Sequence, residues 1–212
     1  MKTPIVKICG ITSSEDMKML SVFPIYAIGL NFIERSKRKI DLKTAKAIIK
    51  ELPICIGTVL VLEDEKIKKV IDLCNSLSTH IVQLHGNESP EYCKKLKSKK
   101  KDIKIIKALK AEEGTIKKLK DYEKVCDFIL LDSANNKNQL GGTGKTADWK
   151  IARTIVEKSK LPVILAGGLN PENIKDAIKK VKPYAIDINS GVESRVGKKD
   201  KKLLEKLISQ IQ

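Results

Sequence analysis

The sequence predicts a single (β/α)8 barrel over residues 1–212, on three observations. Short apolar runs rich in Ile and Val alternate strictly with longer stretches of helical spacing. The runs are nearly continuous in apolar character, as strands buried on both faces are, and strict strand–helix alternation implies a parallel sheet. Eight such units fill a chain long enough for one sizeable core and short for two. A doubly wound open sheet is the alternative the same pattern allows.

The first strand is "PIVKIC" (4–9), where Val6, Lys7 and Ile8 alternate and the run stops at Cys9 and Gly10. A helix follows over 13–22 with Ser14 as its N-cap. "IYAIGLNF" (25–32) is the second strand, and Asp41 caps the helix over 41–51. "ICIGTVLV" (54–61), "IVQLH" (81–85) and "IKIIKAL" (103–109) continue the series, each before a helical stretch, at 64–77, 88–98 and 112–122. "DFILLD" (127–132) precedes a long loop and a helix over 148–159. "PVILAG" (162–167) precedes a helix from 171 to 180, with Asn170 and Pro171 as cap and first helical residue. "YAIDIN" (184–189) and a helix over 199–211 complete the eight units.

Barrel chemistry gathers at the C-terminal ends of strands and in the loops after them. Polar and glycine residues stand at those places: Cys9 after strand 1, Arg38 after strand 2, His85 at the end of strand 4, Asp132 at the end of strand 6. A strand-end thiol facing a pocket near cations can lose its proton and act as base or nucleophile, although a buried core thiol is the commoner case. Asp132 is either half of a structural ion pair or a site acid whose pKa burial raises toward neutrality. Arg38 carries a planar fork that grips a carboxylate bidentately, or else is a solvated loop residue.

Two adjacent loops are rich in glycine. "LAGGLNPENI" places Gly167 and Gly168 after strand 7, and "DINSGVES" places Asn189, Ser190 and Gly191 after strand 8. Backbone N–H groups approach an anion closely at such turns, and this pair of loops is the usual barrel phosphate site. "GGTGKT" (141–146), with Gly142 and Gly144, is no P-loop, because Gln139 stands where the first glycine belongs. A glycine-rich lid over about 133–147, closed by Thr146 or Asp148 as a helix cap, suits it better.

The formal charge of +16 raises the question of nucleic acid. Only four of the 42 basic residues are Arg, aromatics make up 4%, and the Lys are scattered among Glu and Asp, so a basic nucleic-acid-binding protein is disfavoured. The Lys and Glu richness is the bias of heat-adapted proteins. Five cysteines with no C-x-x-C suggest neither a disulfide framework nor a zinc site, and Cys55, Cys74, Cys93 and Cys126 read as small buried hydrophobes. Apolar runs are strand-sized and no signal segment opens the chain, so the expectation is a cytoplasmic protein without a membrane span.

The anchors "KICGIT" (7–12), "IGLNFIERSKRKI" (28–40), "VQLHG" (82–86), "DFILLDS" (127–133), "GGTGKTADW" (141–149), "LAGGLNPENI" (165–174) and "DINSGVES" (187–194) occur in one order over nearly the whole chain. The sequence thereby resembles the phosphoribosylanthranilate isomerases of tryptophan biosynthesis. The resemblance implies an Amadori rearrangement of a small phosphosugar, without metal or cofactor. The expected assembly is a monomer or homodimer. It implies Asp132 as general acid, Cys9 as general base and Arg38 as the contact to the anthranilate carboxylate. It also implies a phosphate site at Gly142, Gly144, Gly167, Gly168, Asn189, Ser190 and Gly191, with His85 and Asp187 lining the pocket. The chain departs from the family pattern at Ser36-Lys37-Arg38, where Ser-Pro-Arg is common, at Asn189, where Ser is common, and between Ser133 and Gly141. A different phosphosugar barrel is the competing enzyme reading. The related histidine-pathway isomerase would place Asp at position 9.

Overall fold

The computed structural model describes residues 3–132 and 149–211. Eight parallel strands close on themselves in sequence order: β1 (Ile5–Cys9), β2 (Ala27–Asn31), β3 (Gly57–Leu62), β4 (Ile81–Leu84), β5 (Lys104–Lys110), β6 (Phe128–Asp132), β7 (Val163–Ala166) and β8 (Ala185–Ile188). Among the described residues eight α-helices alternate with them: α1 (Ser14–Leu20), α2 (Leu42–Lys50), α3 (Ile67–Ser76), α4 (Pro90–Lys99), α5 (Glu113–Glu123), α6 (Trp149–Lys158), α7 (Ile174–Val181) and α8 (Lys201–Ser209). The closed barrel is therefore the architecture, and the open sheet is excluded by the pairing of β1 with β8, Lys7 opposite Asp187.

Helix starts follow the chemistry of short polar side chains. Asp41 accepts from the Thr44 N–H as expected, and Ser89 and Asp200 cap α4 and α8 in the same way. Two expected caps are displaced. Ser13, not Ser14, accepts from the Asp16 N–H, because Ser13 is the residue left in extended backbone. Asn170 and Pro171 do not start α7. Asn170 Oδ1 instead accepts from the N–H groups of Glu172 and Asn173, forming a separate turn, and the helix begins at Ile174.

The core has two layers. Outward residues of the strands, such as Ile8, Ile28, Leu60 and Ile186, are fully shielded by Met17, Ile48, Val70 and Leu204 of the helices. Each such side chain contributes roughly 1.5–3 kcal/mol by leaving water. Inside the barrel a smaller cluster of Val59, Ile106, Leu130, Ile164 and Ala185 fills the lower part, with Ile5 and Phe128 against it. Side chains alternate along a strand, so Lys7 and Cys9 share the inward face with Ile5. The interior thus turns from apolar to polar toward the strand ends, where Lys7, Gln83 and Asp187 are buried.

Outside the barrel wall, Lys107 and Glu88 form an ion pair at 2.7 Å with both side chains 1% exposed. Lys107 also donates to the carbonyls of Leu84 and Gly86, and Glu88 accepts from the N–H groups of Asp64 and Gly86. This network ties the loops after β3 and β4 together. Cys74, Cys93 and Cys126 are buried as expected, but Cys55 is exposed, because it lies in the turn before β3 rather than in the strand. Among the described residues no helix is long and apolar enough to cross a membrane.

Candidate active site

A cavity of about 1020 Å³ opens at the C-terminal ends of the strands. Arg38, His85, Asp132, Asn189 and Ser190 line it, as do Gly167 and Gly168. Lys37, Lys110, Lys118 and Arg195 also line it, so an anionic ligand meets a positive entrance. Gly167 and Gly168 adopt φ of 87° and 68°, the left-handed region, and no atom lies within 4 Å of where a Cβ of Gly168 would stand. Gly191 serves a different purpose: a Cβ there would meet the Leu169 carbonyl, so its absence lets the loops after β7 and β8 close on each other. Gly142, Gly144, Thr146 and Asp148, with the expected lid, lie outside the described residues.

Cys9 ends β1 at 6% exposure and is not among the described residues that line the cavity. It sits beneath them, with its sulfur toward β2. A Cβ on Gly29, its partner in register, would come within 2.5 Å of that sulfur. Burial pushes the thiol above its ordinary range. Lys7 opposes this most strongly, Asp187 adds to it, and Lys199 opposes it again. Lys7 donates to Asp187 Oδ2 at 2.7 Å, whereas Asp187 Oδ1 is buried with no hydrogen-bond partner among the described residues. Asp187, expected to line the pocket, is instead part of this buried pair below it.

Asp132 ends β6, and its side chain is 35% exposed, so the burial expected of it is incomplete. His85 Nε2 lies 3.7 Å from Asp132 Oδ2, longer than a hydrogen bond. The Gln83 amide nitrogen lies 3.1 Å from His85 Nδ1. With the amide in that orientation Nδ1 accepts, and the neutral ring carries its proton on Nε2, toward Asp132.

Arg38 makes a two-pronged pair with Glu193, Nε to Oε1 at 2.8 Å and Nη2 to Oε2 at 2.5 Å. This leaves three of its five N–H donors outside the pair. Lys199, fully buried, donates to Glu193 Oε1 at 2.8 Å and to the side-chain and main-chain oxygens of Asn189 at 3.0 and 3.1 Å. Burial holds the Lys199 ammonium below its usual range, although Glu193 opposes that. Gly10, at φ 71°, makes this possible: a Cβ there would lie 2.7 Å from both Arg38 Cδ and Asn189 Oδ1.

The structure brings Arg38, His85, Asp132, Asn189 and the glycine loops together at one end of the barrel, with Cys9 just below. Sequence reasoning missed Lys7, Gly29, Glu193 and Lys199. Lys7 carried a signal, since a charged residue two positions before Cys9 shares its face. Glu193 and Lys199 carried none, because the loop after β8 hides a short turn of helix (Ser190–Val192) and a hairpin of β9 (Glu193–Arg195) and β10 (Lys198–Lys199). Among the described residues no group of three or more His, Cys, Asp or Glu converges as metal ligands do.

The profile of the family described as N-(5'phosphoribosyl)anthranilate (PRA) isomerase matches residues 6–210. The chain is 40% identical, over 97% of each sequence, to the N-(5'-phosphoribosyl)anthranilate isomerase of Methanocella arvoryzae. The crystal structure of phosphoribosyl anthranilate isomerase from Thermotoga maritima superposes at TM-score 0.86, with 36% identity over 98% of each chain. A second structure from that organism is of monomers generated from a dimeric isomerase, at TM-score 0.81 and 33% identity over 98% of each chain. A phosphoribosyl anthranilate isomerase solved with reduced 1-(o-carboxyphenylamino)-1-deoxyribulose 5-phosphate superposes at TM-score 0.82, with 34% identity over 98% of each chain. A profile match over nearly the whole length, on a barrel that places a thiol and a carboxylate at the ends of β1 and β6, leads to one conclusion: this chain belongs to the N-(5'-phosphoribosyl)anthranilate isomerase family.

Proposed function

We propose that this chain isomerises N-(5-phosphoribosyl)anthranilate to 1-(2-carboxyphenylamino)-1-deoxyribulose 5-phosphate, a step of tryptophan biosynthesis, with Asp132 as general acid and Cys9 as general base. Asp132 gives a proton to the furanose ring oxygen, and the ring opens to a cationic Schiff base. The Cys9 thiolate removes the C2′ proton, leaving an enolamine that tautomerises to the ketone. Over the cycle C1′ gains the proton that C2′ loses, and the ring oxygen gains the one that the 2′-hydroxyl loses, so neither group is consumed. Holding both groups on rigid strand ends around one substrate makes the two transfers effectively intramolecular.

The observation that supports this most is the placement of Cys9 and Asp132 at the same end of one barrel, on β1 and β6. Gly167, Gly168, Ser190 and Asn189 supply the phosphate end of the cavity, and Arg38, through the donors Glu193 leaves, meets the anthranilate carboxylate. His85 lines the pocket beside Asp132. The same reading puts the enzyme in the cytoplasm, acting without metal or cofactor. At the opposite end of the barrel Tyr26, Ile54 and Tyr184 are exposed just before β2, β3 and β8. That apolar surface supports the homodimer, and light scattering on wild type and Ile54→Asp tests it: a monomeric wild type excludes it.

The activity is tested by the loss of fluorescence of freshly generated phosphoribosylanthranilate, without added metal, for wild type, Cys9→Ser and Asp132→Asn. Turnover that falls about 10²–10⁴-fold in both variants is expected. Survival in Cys9→Ser assigns the base elsewhere, and an inactive wild type returns the chain to other phosphosugar barrels.

A further inference from the structure

The interior of a barrel is filled economically by apolar side chains, as the lower layer here is, yet directly beneath Cys9 the chain spends two charges. Lys7 and Asp187 are 3% and 7% exposed and face each other in register across β1 and β8. Taking such a pair out of water costs several kcal/mol per ion, and an apolar pair of similar volume is often as stable. The pair also lacks the full set of hydrogen bonds that would make it a purely structural lock, since Asp187 Oδ1 is left without a partner among the described residues.

Its position gives it another use. Lys7 stands two residues before Cys9 on the same inward face, so the two side chains are neighbours beneath the cavity and the charge of Lys7 acts on the thiol. Gly29 offers the sulfur no side chain, only space. The other charged groups acting near Cys9 come from elsewhere: Arg38 and Lys199 at the rim, both already bound to Glu193, and Asp187 from β8. We propose that Lys7 is a positioning residue for Cys9: anchored on Asp187, its ammonium stabilises the thiolate that takes the C2′ proton. The inference rests on Cys9 as the base. It agrees with Lys7 being the strongest influence easing proton loss from a thiol that burial otherwise holds protonated. Asp187 in turn helps keep the Lys7 ammonium charged against its own burial.

The test is a titration of the Cys9 thiolate by its ultraviolet absorbance, with Cys9→Ser as the blank, in wild type, Lys7→Met and Lys7→Arg, alongside kcat and KM across pH. In Lys7→Met the thiolate midpoint should rise by about one pH unit or more. Its kcat near neutrality should fall about tenfold and recover as pH rises, with KM within about twofold of wild type. Lys7→Arg should restore the midpoint. If Lys7→Met does not fold because Asp187 is left unpaired, Lys7→Met/Asp187→Asn removes both charges, and a midpoint still above wild type supports the proposal. A midpoint and pH profile that superpose on wild type overturn it while leaving Cys9 as base. Full activity in Cys9→Ser overturns the base assignment itself, and the role of Lys7 with it.

Discussion

Gly29 lies beside Cys9 in register between β1 and β2, where a Cβ would come within 2.5 Å of the Cys9 sulfur. The glycine is therefore a shape requirement of the thiol rather than a turn. Gly29→Ala must push the sulfur aside or spread the two strands, at about 1–3 kcal/mol of stability. A displacement of this kind costs about 10²-fold in rate when the moved group is the base. Urea denaturation and turnover measured together check it: a folded Gly29→Ala protein with wild-type kcat would show that the position of Cys9 is not critical.

The pH dependence follows from the same burial. A base works deprotonated, and burial holds the Cys9 thiol above its ordinary range. In the free enzyme the fraction of thiolate thus grows about tenfold per pH unit below that pKa and levels above it. We expect the thiolate absorbance of Cys9 in the substrate-free enzyme to climb through pH 7 and 8 with no plateau below about pH 8.5, the ordinary thiol value. An absorbance titration already complete at pH 7 would show that burial does not hold Cys9 protonated.

The fold was nearly all legible in the sequence, because buried parallel strands and amphipathic helices impose periods of their own. All sixteen elements of the barrel lie within three residues of where the periodicity put them. The strand-end residues were legible for the same reason, since topology alone places Cys9, His85 and Asp132. What stayed hidden depends on pairing between segments far apart in the chain. Arg38 reads as an exposed cation until Glu193 is folded against it, and Lys107 reads as a polar break in β5 until Glu88 arrives from the loop after β4. Register, which sets Gly29 opposite Cys9, is likewise invisible before the strands pair.

Arg38 allows a separate test of carboxylate recognition. Arg38→Lys keeps a charge but loses the fork held by Glu193 at two points. KM should rise by about tenfold, in line with roughly 1.5–3 kcal/mol for a charge-assisted hydrogen bond, with a smaller change in kcat. An unchanged KM would remove Arg38 from the substrate site and leave it as the partner of Glu193.

Glu193 adds an acid limit to that rim. Burial pushes its carboxyl up, but the Arg38 fork and the Lys199 ammonium prevail and hold it below the usual carboxylate range. A carboxylate depressed on folding contributes stability that is present above its unfolded pKa, about 4.3, and is lost as pH falls through the folded value. Glu193→Gln should therefore lower stability at pH 7 and narrow the gap to wild type below about pH 4. Thermal melts of both proteins across pH 3–7 check this. Parallel curves would show that the pair adds no pH-linked stability.

The Lys107–Glu88 pair carries the largest expected loss of stability. Both side chains are 1% exposed, and Glu88 also receives the N–H groups of Asp64 and Gly86. Glu88→Ala leaves the Lys107 ammonium buried with only the carbonyls of Leu84 and Gly86, and breaking a buried pair in this way costs about 3–5 kcal/mol. Lys107→Met/Glu88→Leu, which removes both charges, should recover much of that loss, because no unpaired charge remains. Urea denaturation of the two variants decides it. Near-equal stability of Glu88→Ala and wild type would mean that the loops after β3 and β4 hold their shape without the carboxylate, and that the network follows the fold rather than supporting it.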